Sequence, residues 1–453
     1  MNNYVRKLFG VRFPSKPIPQ IVRIQPSRLP TSPEEWRQYW LSQDQPWRTE
    51  PEIDAKRQGE LSRHRAASPD IDKGIYSFNR IKLSRADVEW LLATHENGRG
   101  PVIWSDESQR GREGLDLRGA DLRDVDLHQL PLARLRAGLT YREWPNSTVE
   151  QRNWAVARLE NANLREAQLA GAYLRWTRLT GTYLRWANLE EADLRGASLT
   201  GTYLRFARLE RADLREAQLA GANLRSAKLE GAYLTGVIMG DQEGIGPWVA
   251  DTIWENVNLA VVKWSQVKKL RDEYDALQGK LNGQVKDRAI RLDEHEKAVR
   301  ANRQLALALQ AQGLNEHATR FAYHAQRLQR RVFWLQMIQQ RVKLRQRGQA
   351  LSSWLFSWFL FLIAGYGYRP ERSFLAYLFI IVFFTVFYHQ LGPQLLWNEA
   401  FVISMTAFHG RGFFPSTFSP GDPLALASAL EAFIGLIIEV TLIATITQRF
   451  FGK

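Results

Sequence analysis

The chain has 453 residues, a formal net charge of +14, a pI near 9.9 and no cysteine. That length holds two to four domains, and the lack of thiols excludes a disulfide framework and thiolate metal centres. The basic balance suits either nucleic acid or an anionic membrane surface, and the placement of the charges decides between them.

The opening MNNYVRKLFGVRF is basic but has no long apolar core, so no cleaved signal peptide is expected. Residues 1–75 are rich in Pro, Ser and charge and read as mostly irregular. One short helix is predicted at Ser32-Pro33-Glu34-Glu35, which combines a capping box with Pro at the first helical position. A second helix is predicted after Ser84, with Val88, Leu91 and Leu92 on one face, inside a short helical cap over 76–113.

At Gly114 the pattern changes. Leucines fall at 117, 122, 127 and 132; an insertion near 135–156 interrupts them, and from Leu159 to Leu234 a leucine then occupies every fifth position, sixteen in succession. The residue two before each of those sixteen is Ala or Thr. A period of five fits neither the 3.6 of a helix nor the 2 of a strand, so it belongs to a higher-order coil. A second insertion near 239–251 precedes a last partial turn at Asn256-Val257-Asn258-Leu259. The run resembles the pentapeptide-repeat family, whose pattern A-[DN]-L-x-x appears as Ala162-Asn163-Leu164-Arg165-Glu166 and Ala192-Asp193-Leu194-Arg195-Gly196. The resemblance implies a right-handed quadrilateral β-solenoid over 114–260, four pentapeptides to a square turn, leucines on its axis. Packing agrees, because a short side chain at alternate inward positions leaves room for leucine at the others. A fold of this kind says little about function.

Twenty residues per turn sort the positions after each leucine into four columns. One is Arg165, Arg185, Arg205 and Arg225; the opposite one is Arg175, Arg195, Arg215 and Thr235. Between them lie Ala170, Glu190, Glu210 and Glu230, and the fourth face carries Glu160, Thr180, Thr200 and Ala220. Arginines stacked at about 4.8 Å repel unless acids or partners lie alongside, and Glu166, Glu191 and Glu216 are placed to help. Acidic faces, by which some soluble relatives imitate DNA, are not what this surface offers. The arginine faces read either as a soluble, aggregation-resistant surface or as a partner-binding one.

Residues 261–350 turn helical, with Ala298–Gln312 and Asn315–Gln349 separated by Gly313 and with Leu305, Leu309, Ala318, Phe321, Ala322 and Leu328 available to pack between them. The stretch RQLALALQAQGLNEHATRFAYHAQRLQRR resembles a tetratricopeptide-like helical hairpin, which would join solenoid to membrane. His317 and His324 lie seven apart with no carboxylate placed to complete a site, and read as surface residues. From Arg327 to Arg347 there are seven basic residues and no acid, those nearest the apolar region being Arg341, Lys343, Arg345 and Arg347. Such a cluster marks a cytoplasmic membrane surface.

Trp354–Ala364 is apolar but too short to cross, so residues 351–370 are read as an interfacial helix. Phe374–Leu391 has no Asp, Glu, Lys or Arg, and Leu424–Thr447 has only Glu431 and Glu439; each is long enough to span. Between them stands a short amphipathic helix from Trp397 to about Thr406, followed by Phe408-His409-Gly410-Arg411-Gly412. Span, short helix, Gly-x-Gly loop and span in that order resemble the two-span pore domain of potassium-channel-like proteins, over residues 371–453. The resemblance implies a re-entrant pore loop with filter positions at Thr406, Phe408, His409, Gly410, Arg411 and Gly412. Both glycines keep the backbone free to adopt unusual dihedrals, but Phe408 stands for the family's threonine, Arg411 for its tyrosine and Phe413 for its aspartate. Potassium selectivity is therefore not expected. Arg411 either faces the axis and favours anions, or turns away and pairs with Glu399. Glu431, Gly435 and Glu439 are the candidate functional positions of the second span.

The fold is thus expected to be multidomain: β-solenoid, helical hairpin, and a two-span α-helical membrane domain. The function implied is a homo-oligomeric ion channel, four subunits by resemblance, set in the plasma (cell inner) membrane with both termini cytoplasmic. Its partners would be the lipid bilayer and small inorganic ions, with no nucleic acid, cofactor or metal. A membrane-anchored scaffold with a non-conducting oligomerisation domain is the competing reading. No phosphate loop, metal cluster or nucleophile–base pattern points to an enzyme.

Overall fold

The computed structural model describes residues 30–67, 69–140, 142–281, 283–338, 344–392, 395–411 and 422–450. Parallel bridges join residues twenty apart, as in Arg158, Arg178, Ser198 and Gln218, so one turn of the coil is four pentapeptides. Each corner closes with the N–H of the small residue donating to the leucine carbonyl three before it, as Ala162 does to Leu159 at 3.0 Å. The residue two after each leucine then sits at positive φ, from Asn161 (60°) to Gly236 (73°), the third position of a type II turn. All sixteen leucines are 2 % exposed or less, each contributing about 1.5–3 kcal/mol of burial.

The two insertions appear as changes of bridge spacing. Asp121, Asp126, Pro131 and Arg136 pair with residues 37 further on, which places seventeen extra residues in one turn (37 − 20). They carry α5 (Val149–Ala155), capped by Thr148. Asn223 and Lys228 pair with Trp248 and Ile253, 25 residues on, so the second insertion adds five (25 − 20).

Both solenoid ends are covered by helices. At the N-terminal end, α1 (Pro33–Ser42) forms where Ser32 accepts from the Glu35 N–H. The helix α2 (Ala55–Ala66) was not expected within 1–75; its sequence AKRQGELSRHRA has one buried residue, Leu61, and hence no apolar stripe to read. The helix α3 (Arg85–Ala93) buries Val88, Leu91 and Leu92 as predicted, and its capping box is Ser84 with Asp87. After it comes the short turn α4 (His95–Gly98). Leu61, Phe78, Val88, Leu91 and Leu92 join the leucine column in one continuous core.

At the other end, α6 (Arg271–Leu277) precedes a hairpin of α7 (Arg288–Ala311) and α8 (Asn315–Met337), which turns at Gly313, φ +73°. Leu305, Leu309, Ala318 and Phe321 continue the solenoid core rather than forming a separate one. Gln312 accepts from the Leu259 N–H (2.8 Å) and donates to the Val257 carbonyl (2.7 Å), so a hairpin side chain ends the last turn. The helix α7 starts ten residues before the expected Ala298, because Arg288–Lys297 is polar and its start is set by the cap Asp287. The predicted Asn315–Gln349 helix ends at Met337, and Arg341 and Lys343 lie outside the described residues.

Among the described residues three helices are long and apolar enough to cross a membrane: Arg345–Gly367, Pro370–Leu391 and Pro423–Thr447. The first corrects the reading of Trp354–Ala364 as a short segment. The helix α9 runs from Leu344 to Ala364, 21 residues, because its polar first turns extend the apolar run. The other two are α10 (Pro370–Leu391) and α12 (Pro423–Phe450), with α11 (Trp397–Phe408) between them.

The relief of the arginine columns also differs from expectation. Arg175, Arg195 and Arg215 are met by Asp193 and Asp213, at 2.6–3.2 Å, with Glu216 adding only a weaker electrostatic attraction on Arg215. Asp two residues before Arg shares its strand face, whereas Glu216 sits on the corner. Glu191 pairs instead with Arg211 (2.6 Å), and Glu166 accepts from Gln129 (2.8 Å).

Candidate functional site

The helix α11 has 12 residues, about 18 Å at 1.5 Å each, which is too short to cross a bilayer. Its first turn is held by Glu399, whose carboxylate accepts from the Leu396 N–H at 3.0 Å. Ala400, Ile403, Ser404, Ala407 and Phe408 turn inward against α10 and α12.

One buried polar cluster ties the three helices together. Glu431, fully buried on α12, accepts from the Tyr388 hydroxyl of α10 (2.7 Å) and the Ser404 hydroxyl of α11 (2.6 Å). Ser404 also lies 3.1 Å from the Ile381 carbonyl. A carboxylate in an apolar bundle is costly unless its oxygens are hydrogen-bonded, and here both are. The sequence placed Glu431 among the functional candidates but gave no sign of Tyr388 or Ser404, which lie 43 and 27 positions away on other elements.

Gly435 seats the end of α11. A methyl group there would stand 2.1 Å from the Phe408 carbonyl oxygen, so only glycine permits this approach. The Phe408 ring packs edge-on against Tyr377, with centroids 4.8 Å apart. One turn further along α12, Glu439 lies 3.4 Å from Nε2 of His409, whose Nδ1 is 2.8 Å from the Met405 carbonyl.

The segment read as a filter begins as a helix cap. Gly410, φ +68°, donates to the Ala407 carbonyl, and Arg411 donates its backbone N–H to Thr406, both at 2.9 Å. These two bonds form a Schellman motif with glycine in the left-handed position. The Thr406 hydroxyl is spent on Val402 and Ile403 carbonyls. Gly412 lies outside the described residues. The pairing considered for Arg411 with Glu399 is not formed: Glu399 is in the first turn of α11 and Arg411 three residues beyond its last. Arg411 is exposed and makes no ion pair among the described residues.

Of the basic cluster, Arg345 is exposed and Arg347 half-buried on α9. His324 is not a bare surface residue, since its Nδ1 lies 2.7 Å from Glu273 of α6. A cavity of about 800 Å³ opens between the hairpin and the start of α10; its lining mixes Arg303 and Arg369 with Glu316 and Glu371, so charge alone selects no ligand for it. Among the described residues no group of three or more His, Asp or Glu is placed to hold a metal.

Comparison with known proteins assigns the coil. The family model described as pentapeptide repeats, eight copies, matches residues 157–196, 177–215 and 197–236. The chain is similar to a pentapeptide repeat protein from the cyanobacterium Cyanothece 51142, at 29 % identity over 30 % of this chain and 88 % of that one, TM-score 0.20. It is similar also to one from the Arabidopsis thaliana thylakoid lumen (31 % identity, 20 % of this chain, TM-score 0.17). A third, from Nostoc PCC 7120, is 38 % identical over 17 % of this chain, TM-score 0.08. The chain spans 57 % and 56 % of the length of the latter two. None of the curated proteins matches it. The family match falls on the repeats, and the apolar helices stand outside it.

Proposed function

We propose that this chain, a pentapeptide-repeat region joined to long apolar helices, is the subunit of a homo-oligomeric membrane channel whose solenoid is a cytoplasmic assembly or regulatory module. The observation that carries the reading is the half-length α11, which enters between two spanning helices and stops against Gly435 on the face of α12. A membrane anchor has no use for a helix that ends midway. A path for ions does, because its irregular backbone must lie beside a water-filled cavity rather than lipid. The Tyr388–Glu431–Ser404 cluster supports the same reading by fixing that helix to both spans.

Ion preference in this reading is set at Arg411. With Glu399 occupied elsewhere and no ion pair of its own among the described residues, Arg411 is free to repel cations at the loop. Full-length protein reconstituted in liposomes is expected to pass ions, and Arg411→Glu is expected to move the reversal potential toward cations. Flux no greater than from empty liposomes overturns the channel in favour of a membrane-anchored scaffold. A reversal potential unmoved by Arg411→Glu removes Arg411 from the conduction path.

A further inference from the structure

The two arginine columns on opposite faces of the solenoid are built differently. On one face Arg175, Arg195 and Arg215 are each ion-paired in place to Asp193 or Asp213. On the other, none of Arg165, Arg185 and Arg205 forms an ion pair among the described residues. The fourth rung, Arg225, is taken by Asp272 of α6 at 2.7 Å.

Aromatic rings take the place of carboxylates on that second face. Arg165 lies over Tyr183 (5.1 Å), Arg185 over Trp186 (3.9 Å) and Arg205 over Phe206 (4.7 Å). Tyr183 stacks on Tyr203 (4.8 Å, 5°) and Trp186 on Phe206 (5.5 Å, 14°). A cation–π contact holds a guanidinium without neutralising it, leaving its N–H fork open to a carboxylate or phosphate. Trp186 and Phe206 occupy corner positions at φ +59° and +61°, where glycine is the unstrained choice. Bulk is thus retained at a backbone cost of the order of 1 kcal/mol.

We propose that the Arg165–Arg185–Arg205 column is a docking surface for an acidic α-helix of a partner protein, lying along the solenoid axis with about one carboxylate per helical turn. Spacing selects the helix. Strands of such a coil repeat about every 4.8 Å, the Tyr183–Tyr203 ring centroids lie 4.8 Å apart, and a helix rises about 5.4 Å per turn. Across three rungs the mismatch is about 1.2 Å, within the reach of an arginine, whereas alternate residues of an extended strand, about 6.8 Å apart, drift by about 4 Å. Ring orientation selects carboxylate over nucleobase. Single-stranded nucleic acid binds aromatic faces, and here Tyr183, Trp186 and Phe206 each have a ring face covered by a neighbouring ring or a guanidinium group. The outward ring edges are the positive rim of the quadrupole, which favours anions.

The test uses the full-length protein in detergent and fluorescence anisotropy of two dye-labelled, alanine-based helical peptides of equal composition. One carries Glu at i, i+4, i+7 and i+11 on a single face; its isomer spreads the same Glu residues around the helix. The single-face peptide is expected to bind at least tenfold more tightly than its isomer. That preference is expected to vanish with Arg165→Gln/Arg185→Gln/Arg205→Gln together, and to stay within twofold for Arg215→Gln on the opposite face. If the triple variant loses the β-sheet circular dichroism, Arg205→Gln alone, at an exposed rung, carries the test with an expected threefold loss. Equal affinity for the isomers, indifference to the arginine variants, or displacement of the peptide by single-stranded DNA or phosphatidylserine vesicles at lower concentration each overturns the proposal.

Discussion

A single buried position separates the residues this coil accepts from those it rejects. The inward site two before each leucine takes Ala, or Thr where the hydroxyl has a carbonyl to reach: Thr177 donates to Leu174 (2.6 Å), Thr182 to Leu159 (2.7 Å) and Thr202 to Leu179 (2.8 Å). A buried hydroxyl without such a partner costs about 1–3 kcal/mol, so valine, isosteric with threonine, leaves the carbonyl with one partner fewer. Asp193 is the more consequential residue. It faces Arg175 (3.2 Å) and Arg195 (2.6 Å), yet burial, reinforced by nearby Asp213, raises its carboxyl to about 6 against the arginines' pull. The folded state therefore holds that proton more tightly than the unfolded chain. Stability from this group is present at low pH, falls as pH rises from about 4 to about 6, and stays lower above that. Two units correspond to about 3 kcal/mol. Denaturant unfolding followed by solenoid circular dichroism at pH 4, 5, 6 and 7 should show wild type losing stability relative to Asp193→Asn across that window. Parallel curves for the two proteins exclude Asp193 as the titrating group.

At the scale of elements, what the sequence revealed tracked what repeats. The leucine column, the Ala/Thr sites and the twenty-residue turn were all legible, because one geometric unit recurs and each copy restates it. The helices α2 and the first turns of α7 were not, since a helix fixed by its cap and one or two buried residues leaves no apolar period. Length alone misjudged α9, whose polar start belongs to the same helix as its apolar end. The cluster around Glu431 was half legible: a carboxylate in a long apolar helix announces itself, but its partners come from two other helices. Gly435 stood among the candidate positions of the second apolar helix, and its contact is with backbone, which no rotamer change relieves. Gly435→Ala must push α11 away from α12, an overpacking cost of about 1–3 kcal/mol. Thermal unfolding in detergent should drop for Gly435→Ala and rise for Gly59→Ala, whose added methyl meets nothing within 4 Å inside α2 and gains about 0.5–1 kcal/mol in helix propensity. A Gly435→Ala protein as stable as wild type would show that α11 is not seated on that glycine.

For the whole molecule the deciding matter is how many of the three apolar helices cross. The helix α9 runs antiparallel along α8, with Trp334 against Trp354 (5.5 Å), Arg330 over Trp358 (4.0 Å) and Phe361 (4.3 Å), and Tyr323 against Tyr366 (6.2 Å). If α9 spanned the bilayer it would draw α8 in beside it, with Arg327, Arg330 and Arg331. Each charge at the bilayer centre costs about 2.5–3.5 kcal/mol or more, and α8 is also bound to the solenoid end through Arg320, which donates to the Trp264 carbonyl. An in-plane α9 avoids this. It lays Leu355, Phe356 and Leu362 into the lipid and keeps α8 in water. The two arrangements give opposite topologies. With two spans, the solenoid and the C-terminus share one side and the α10–α11 connection faces the other; with three, the solenoid shares its side with that connection and the C-terminus lies across. The chain has no cysteine, so Thr235→Cys, Leu396→Cys and Lys453→Cys each introduce a single thiol for a membrane-impermeant maleimide in intact cells. Leu396→Cys alone is expected to react before permeabilisation, and the other two only after it. Labelling of Lys453→Cys from outside, with Leu396→Cys protected, would place α9 across the membrane and carry α8 and its arginines into the lipid with it.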